Sequence, residues 1–163
     1  MEEGMIVLYG DEVLRTKAEE IGEINDEICE LIQRMYVAMA ESRGLGVAGP
    51  QVGVSKRLFV YDIGDGRHAL INPKLLSGRG EDRGLEGCLS IPGLQGEVAR
   101  YESVTVTGIN EDGKKVRIRA EGLMARLFQH EIDHLDGMMF IDRADPDTLE
   151  TVPAHEEDEP GEE

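Results

Sequence analysis

His130-Glu131-Ile132-Asp133-His134 sets two imidazoles four residues apart, a spacing that puts both on one face of a helix, where they can hold one metal ion. The glutamate between them can then handle protons for a water on that ion. With 4 His in the chain, chance alone produces H-E-x-x-H in roughly 1 sequence in 100, so the motif needs support from elsewhere. A catalytic metal of this type takes three protein ligands and keeps one position open for water or substrate. The best third ligand is Cys88, in Glu86-Gly87-Cys88-Leu89-Ser90-Ile91-Pro92. There Gly87 supplies backbone freedom and Pro92 stiffens the exit, so the thiolate is expected in a bent, fixed loop. Upstream, Gly44-Leu45-Gly46-Val47-Ala48-Gly49-Pro50-Gln51 combines small residues, which let a substrate backbone approach closely, with the amide donor of Gln51.

Other polar residues carry less. His68, in an expected strand, and His155, among acids near the end, read as ordinary surface groups. Asp133 is expected to orient a His ring as an outer acceptor, against the plainer reading of a solvated helix acid. Glu86 can brace the Cys88 loop, with Arg100 as its partner. Cys29 reads as a small core or boundary residue rather than half of a disulfide.

The elements that must position these groups follow from periodicity. Asn25 reads as an N-cap, followed by acids in the first turn; Ile28, Leu31, Ile32, Met35 and Met39 then recur at helical spacing, and Gly44 is a natural stop. Met35 and Met39 are read as core. Arg57 to Ile63 and His68 to Asn72 fit strands flanking a Gly64-Asp65-Gly66 turn. Val98 to Arg100, Val104 to Ile109 and Lys115 to Ala120 fit further strands, with Asn110 to Gly113 as a turn. A second helix is expected from Glu121 or Gly122, carrying Leu123, Leu127 and both metal-binding histidines, and ending at Gly137. The pattern predicts an α+β class: a single compact domain of mixed or antiparallel sheets packed around a central metal-binding helix.

Composition narrows the setting. The length suits one domain with a core of its own, and no apolar run approaches the ~20 residues of a membrane span. Acids rather than basic residues open the N-terminus, so the expectation is a cytoplasmic protein without a membrane anchor. The net charge of −17 is uneven: residues 145–163 hold nine of the 34 acids and no Lys or Arg, leaving 25 acids against 17 bases. Residues 1–144 are therefore expected to form the catalytic domain and 145–163 a solvated, disordered acidic tail. Such a charge argues against nonspecific nucleic-acid binding.

The three motifs, in this order, resemble the signatures of the peptide deformylases, which read roughly G-hydrophobic-G-hydrophobic-A-A-P-Q, E-G-C-L-S and H-E-x-D-H. The second and third match in full. The first departs only at Gly49, where the family usually has Ala, and the expected cost is local flexibility, roughly 0.5–1 kcal/mol. Val13-Leu14-Arg15 through Ala18, Ile71-Asn72-Pro73 and Gly122-Leu123 to Arg126 also fit, so the resemblance runs from about Met5 to Arg143. It implies removal of the formyl group from the N-formyl-methionyl end of newly made polypeptides, releasing formate. It also implies that Cys88, His130 and His134 hold one divalent ion, that Glu131 is general base and acid, and that the Gln51 amide and the Leu89 N–H steady the carbonyl oxygen. Gly44, Leu45 and Gly46 are expected along an extended peptide, with Leu45, Ile91, Leu123, Leu127 and the stem of Arg126 walling a methionine slot. The family suggests Fe(II), where the ligand set alone suggests zinc; zinc, nickel or cobalt can occupy such a site after purification. Family members commonly offer a basic or polar side chain shortly after the Ile-Pro, where this chain has Gly93-Leu94-Gln95. The acidic tail speaks against docking on ribosomal RNA. Two rivals remain at this stage: a metallopeptidase, whose third ligand is usually His or Glu further along, and a non-catalytic relative that binds metal or formylated peptides.

Overall fold

The computed structural model describes residues 6–152 of the chain. Its main elements are α1 (Asp26–Ser42), β1 (Gly46–Ala48), β2 (Leu58–Tyr61), β3 (His68–Arg79), β4 (Asp82–Cys88), β5 (Ile91–Arg100), β6 (Ser103–Ile109), β7 (Lys115–Glu121), α2 (Gly122–Leu135) and β8 (Glu150–Thr151). Five strands form one sheet in the order β1-β2-β3-β6-β7 and three form another in the order β4-β5-β8. All pairings of these strands are antiparallel, which gives the expected α+β class its specific form.

The first helix starts as its sequence dictates. The Asn25 side chain accepts from the Ile28 N–H at 3.0 Å, and Asp26 and Glu27 lie at the positive end of the helix dipole. Ile28, Leu31, Ile32, Met35 and Met39 are all buried, so both methionines are core. The stop differs by one residue from expectation: Arg43, at φ 60°, takes the left-handed position, and the Gly44 N–H returns to the Met39 carbonyl at 3.1 Å. Cys29 is exposed, not a core or boundary residue, because it falls just outside the apolar stripe that Ile28 begins.

The larger sheet is covered on both faces, and β2 shows how. Leu58 and Val60 join the core with α1, while Phe59 and Tyr61 join the core with α2, so four successive buried residues alternate between two helices. Burying each such side chain contributes roughly 1.5–3 kcal/mol. The β2–β3 hairpin closes as expected over Gly64 and Gly66, both at positive φ. The β3 strand continues past its expected end at Asn72 because Asn72 takes φ 51° and the register shifts before Lys74. There the Asn72 amide bonds both the N–H and the carbonyl of Ile21, at 2.8 Å each.

Two segments differ more from the sequence reading. The stretch expected to be a loop around Cys88 is the hairpin β4–β5, long and glycine-rich, whose turn is Leu89-Ser90 and whose register shifts between Gly87 and Cys88. Residues 145–152, expected in the solvated tail, instead form a 3-10 turn at Pro146–Thr148 and then β8, paired with β5. The rest of that expected tail, with His155, lies outside the described residues.

Gly49 has a packing reason rather than only a flexibility cost. A Cβ there would lie 2.6 Å from the Lys56 carbonyl oxygen and 2.9 Å from that of Val54, both backbone atoms. Gly49→Ala is therefore expected to displace the 54–56 segment and destabilise the fold by about 1–3 kcal/mol. Chemical denaturation measures this, and a midpoint equal to that of the parent protein would contradict it.

Candidate metal centre

Helix α2 carries His130, Glu131 and His134 inward because residues one, three and four apart on that helix lie toward the side packed against β1 and the core. The tight turn after β4 brings Cys88 to the same point. Its Sγ lies 3.3 Å from His134 Nε2, and the donor atoms of Cys88, His130 and His134 all lie within 4.8 Å of one another. Gln51 completes the group: its Oε1 accepts from the Ala48 N–H at 3.0 Å, leaving Nε2 to donate to Ser90 Oγ at 3.2 Å and to face Cys88 Sγ at 3.6 Å.

One buried carboxylate organises the surroundings. Glu86 Oε1 meets His130 Nδ1 at 3.0 Å, so the other ring nitrogen, Nε2, is left for the cluster. Arg100 donates to both Glu86 oxygens at 2.8 Å, and Arg126 adds a third guanidinium contact at 2.6 Å. Asp133 does not orient a histidine ring as expected. It accepts instead from Arg100 at 2.7 Å and from Arg143 at 2.6 and 3.0 Å, and so anchors the arginine that holds Glu86. Burial opposes ionisation of Glu86, yet its bonds to Arg100 and His130 hold the carboxyl well below the usual range.

The groups of the cluster are strongly polarised. Burial lowers the His130 imidazole, but hydrogen bonds to Cys88 and Glu86 prevail and raise it to about 10. Burial and the nearby His130 charge push His134 well below its ordinary value. Glu131, 2% exposed, is raised by burial to about 7, against the opposing charge of His130. Its Oε1 and His134 Nδ1 are buried without a hydrogen-bond partner among the described residues. Glu131 fits only because residue 46 has no side chain: a Cβ on Gly46 would lie 2.9 Å from Glu131 Oε2 and 3.0 Å from Leu127 Cδ1.

A cavity of about 400 Å³ opens onto this cluster. Every wall residue expected from sequence lines it: Gly44, Leu45, Gly46, Ile91, Leu123, Arg126 and Leu127, together with Leu89. Arg126 offers its stem, since its guanidinium is held by Glu86, the Asp82 carbonyl at 2.6 Å and the Val98 carbonyl at 3.1 Å. Leu85, Leu94, Gln95 and Val152 also line the cavity and were not anticipated. The alternation of β4 and β5 carried the signal for the first three, hidden by glycines and charges; nothing in the sequence marked Val152.

The family model of polypeptide deformylases matches residues 4–150. The chain belongs to the polypeptide deformylase family. It is 53% identical over 136 residues to the peptide deformylase of Halothermothrix orenii, covering 82% of this chain and 88% of that one. Against the enzyme of Carboxydothermus hydrogenoformans it is 49% identical over 140 residues, covering 86% and 92%. The crystal structure of the Thermotoga maritima peptide deformylase superposes with a TM-score of 0.84 at 41% identity, covering 86% of this chain and 97% of that one. A peptide deformylase from Synechococcus elongatus, in complex with actinonin, gives 0.84 at 42% identity, covering 86% and 78%.

Deformylases are metal-dependent, and the donors found here suit a divalent ion. Bonds of ~2.3 Å to sulfur and ~2.0–2.1 Å to nitrogen in a tetrahedron need donors about 3.3–3.6 Å apart. The observed 3.3 Å between Cys88 and His134 is close to the ~3.5 Å of a sulfur–nitrogen pair, the three donors lie within 4.8 Å of one another, and Glu131 lines the same cavity. Because Glu86 orients His130, Glu86→Gln is expected to weaken zinc affinity about 10–100-fold. Competition with a chromophoric chelator measures it at a temperature where the metal-free variant is still folded, and unchanged affinity would contradict the assignment.

Proposed function

We propose that this deformylase removes the formyl group from the N-terminal formyl-methionine of newly made polypeptides and releases formate, using one divalent ion held by Cys88, His130 and His134. The observation that carries this reading is the half-buried Cys88–His130–His134 donor cluster with the Glu131 carboxylate beside it, at the closed end of a partly apolar cavity. Its family membership supports the same reading.

When bound, the ion supplies a Lewis acid and a water acidified to about pKa 7. Glu131, held in the same cavity beside the donors, is placed to take a proton and give one back. It accepts the proton of the attacking water and delivers it to the amine nitrogen as the formyl C–N bond breaks. Gln51 Nε2 and the Leu89 backbone N–H donate to the carbonyl oxygen as charge builds there; losing one such donor typically costs ~10²–10³ in rate. The β1 strand is an edge of its sheet, so Gly46 and the residues before it are available to pair with an extended peptide. Leu45, Ile91, Leu123, Leu127 and the Arg126 stem form the methionine slot, which positions the formyl group against the donor cluster.

Ferrous iron is the proposed native ion, as the family resemblance suggests, with zinc, nickel or cobalt as substitutes. No helix among the described residues is long and apolar enough to cross a membrane. Action in the cytoplasm, on chains emerging from the ribosome, fits the substrate. The acidic residues 145–163 argue against direct binding to ribosomal RNA or other nucleic acids.

Protein purified without oxygen and reconstituted separately with ferrous, nickel and zinc ions is expected to release formate from formyl-Met-Ala-Ser. Bound metal without formate would favour the non-catalytic relative, and cleavage between residues would favour the metallopeptidase. Glu131→Ala is expected to keep its metal and lose about 10²–10⁴-fold in kcat. Cys88→Ala is expected to lose both tight metal binding and activity; wild-type kcat in Glu131→Ala would rule out the proton-transfer role.

A further inference from the structure

The segment after residue 144 is stitched along the outer edge of β5. The Asp145 N–H donates to the Glu97 carbonyl at 2.9 Å, the Glu97 N–H to Thr148 Oγ1 at 2.8 Å, and Gln95 Nε2 to Glu150 Oε2 at 3.0 Å. Thr151 stands opposite Leu94, and the Val152 N–H closes the series on the Gly93 carbonyl at 2.8 Å. Leu149 seats over Gly96, where a Cβ would lie 2.6 Å from its Cδ2, and packs with Val98, Phe140 and Ala144. A strand of two residues would not hold its place alone. The pairing with β5, the further hydrogen bonds around it and the Leu149 anchor hold this one.

The consequence falls on Val152. Half-buried, it forms part of the cavity wall beside Ile91, Leu94 and Gln95, entering from the β8 edge, whereas Leu123 and Leu127 enter from α2. Gln51 and Glu131, 1% and 2% exposed, mark the closed end of that cavity. A formyl group must reach them for its bond to be broken, so the residues that follow it extend toward the more open walls. Val152 stands outside the residues that form the methionine slot, and its backbone is fixed to β5, so it cannot retreat from a bulky neighbour.

We propose that Val152, held by β8, is a specificity-determining residue that limits the size of the side chain following the formyl-methionine. The inference rests on the deformylase reading above. A pocket wall that loses or gains a few methyl groups changes selectivity by roughly 10-fold per group when fully enclosed, and less at a half-exposed site.

The test compares kcat/KM for formyl-Met-Gly-Ser and formyl-Met-Phe-Ser in the metal-loaded parent, Val152→Ala and Val152→Trp proteins. Val152→Ala is expected to raise the Phe/Gly ratio about threefold. Val152→Trp is expected to lower it about tenfold, mainly through KM. Ratios within twofold of the parent in both variants would overturn the proposal. So would a parallel loss on both peptides accompanied by a lower melting temperature, which is what a purely structural role produces. Absence of formate from the parent protein with either peptide would instead remove the deformylase reading on which the proposal stands.

Discussion

A single buried carboxylate, Glu86, joins the two halves of the site. It lies on β4 two residues before Cys88, and it accepts from Arg100 on β5 and from Arg126 and His130 on α2. The thiol and the imidazole are thus tied to one atom group, although 42 positions separate them in the chain. Breaking a buried charge pair by removing one partner typically costs 3–5 kcal/mol, because the other charge is left without compensation. The hairpin and the helix are consequently held in one relation, and Asp133 with Arg143 extends the same restraint to the end of α2.

That restraint matters because it holds the Cys88 thiol and the two imidazoles within 4.8 Å of one another, as a shared ion requires. Burial lowers both imidazoles, though hydrogen bonds to Cys88 and Glu86 raise His130 overall, and burial raises Glu131. Ligation requires both imidazoles neutral and the thiol deprotonated, so affinity for the ion falls as the pH drops. Gly46 contributes by leaving room for the Glu131 carboxylate at the cavity floor.

Much of this was legible in the sequence, and the part that was not has a physical cause. The spacing of His130 and His134 needs only a helix to bring them together, and Asn25, Gly64, Gly66 and Gly137 mark local conformations that each residue type favours on its own. The β4–β5 hairpin was hidden because Gly84, Gly87, Gly93 and Gly96 interrupt its alternation, and those glycines answer to long-range neighbours: Arg126 over Gly84, Leu149 over Gly96. The role of Asp133 is not visible in the sequence, because helical spacing does not reveal that Arg100 and Arg143 converge on it. Val152 and Gly49 depend likewise on what packs against them from elsewhere in the chain, which no local pattern records. Cys29 failed for a simpler reason, since an apolar stripe one residue wide of it already satisfies the helix.

The most direct test of the account is X-ray absorption spectroscopy at the metal edge of the zinc- or iron-loaded protein. One sulfur at about 2.3 Å and two imidazole nitrogens, with one further light atom, is the predicted shell for zinc. A shell without sulfur, or with more than one, would contradict the assembly of Cys88, His130 and His134 around a single ion.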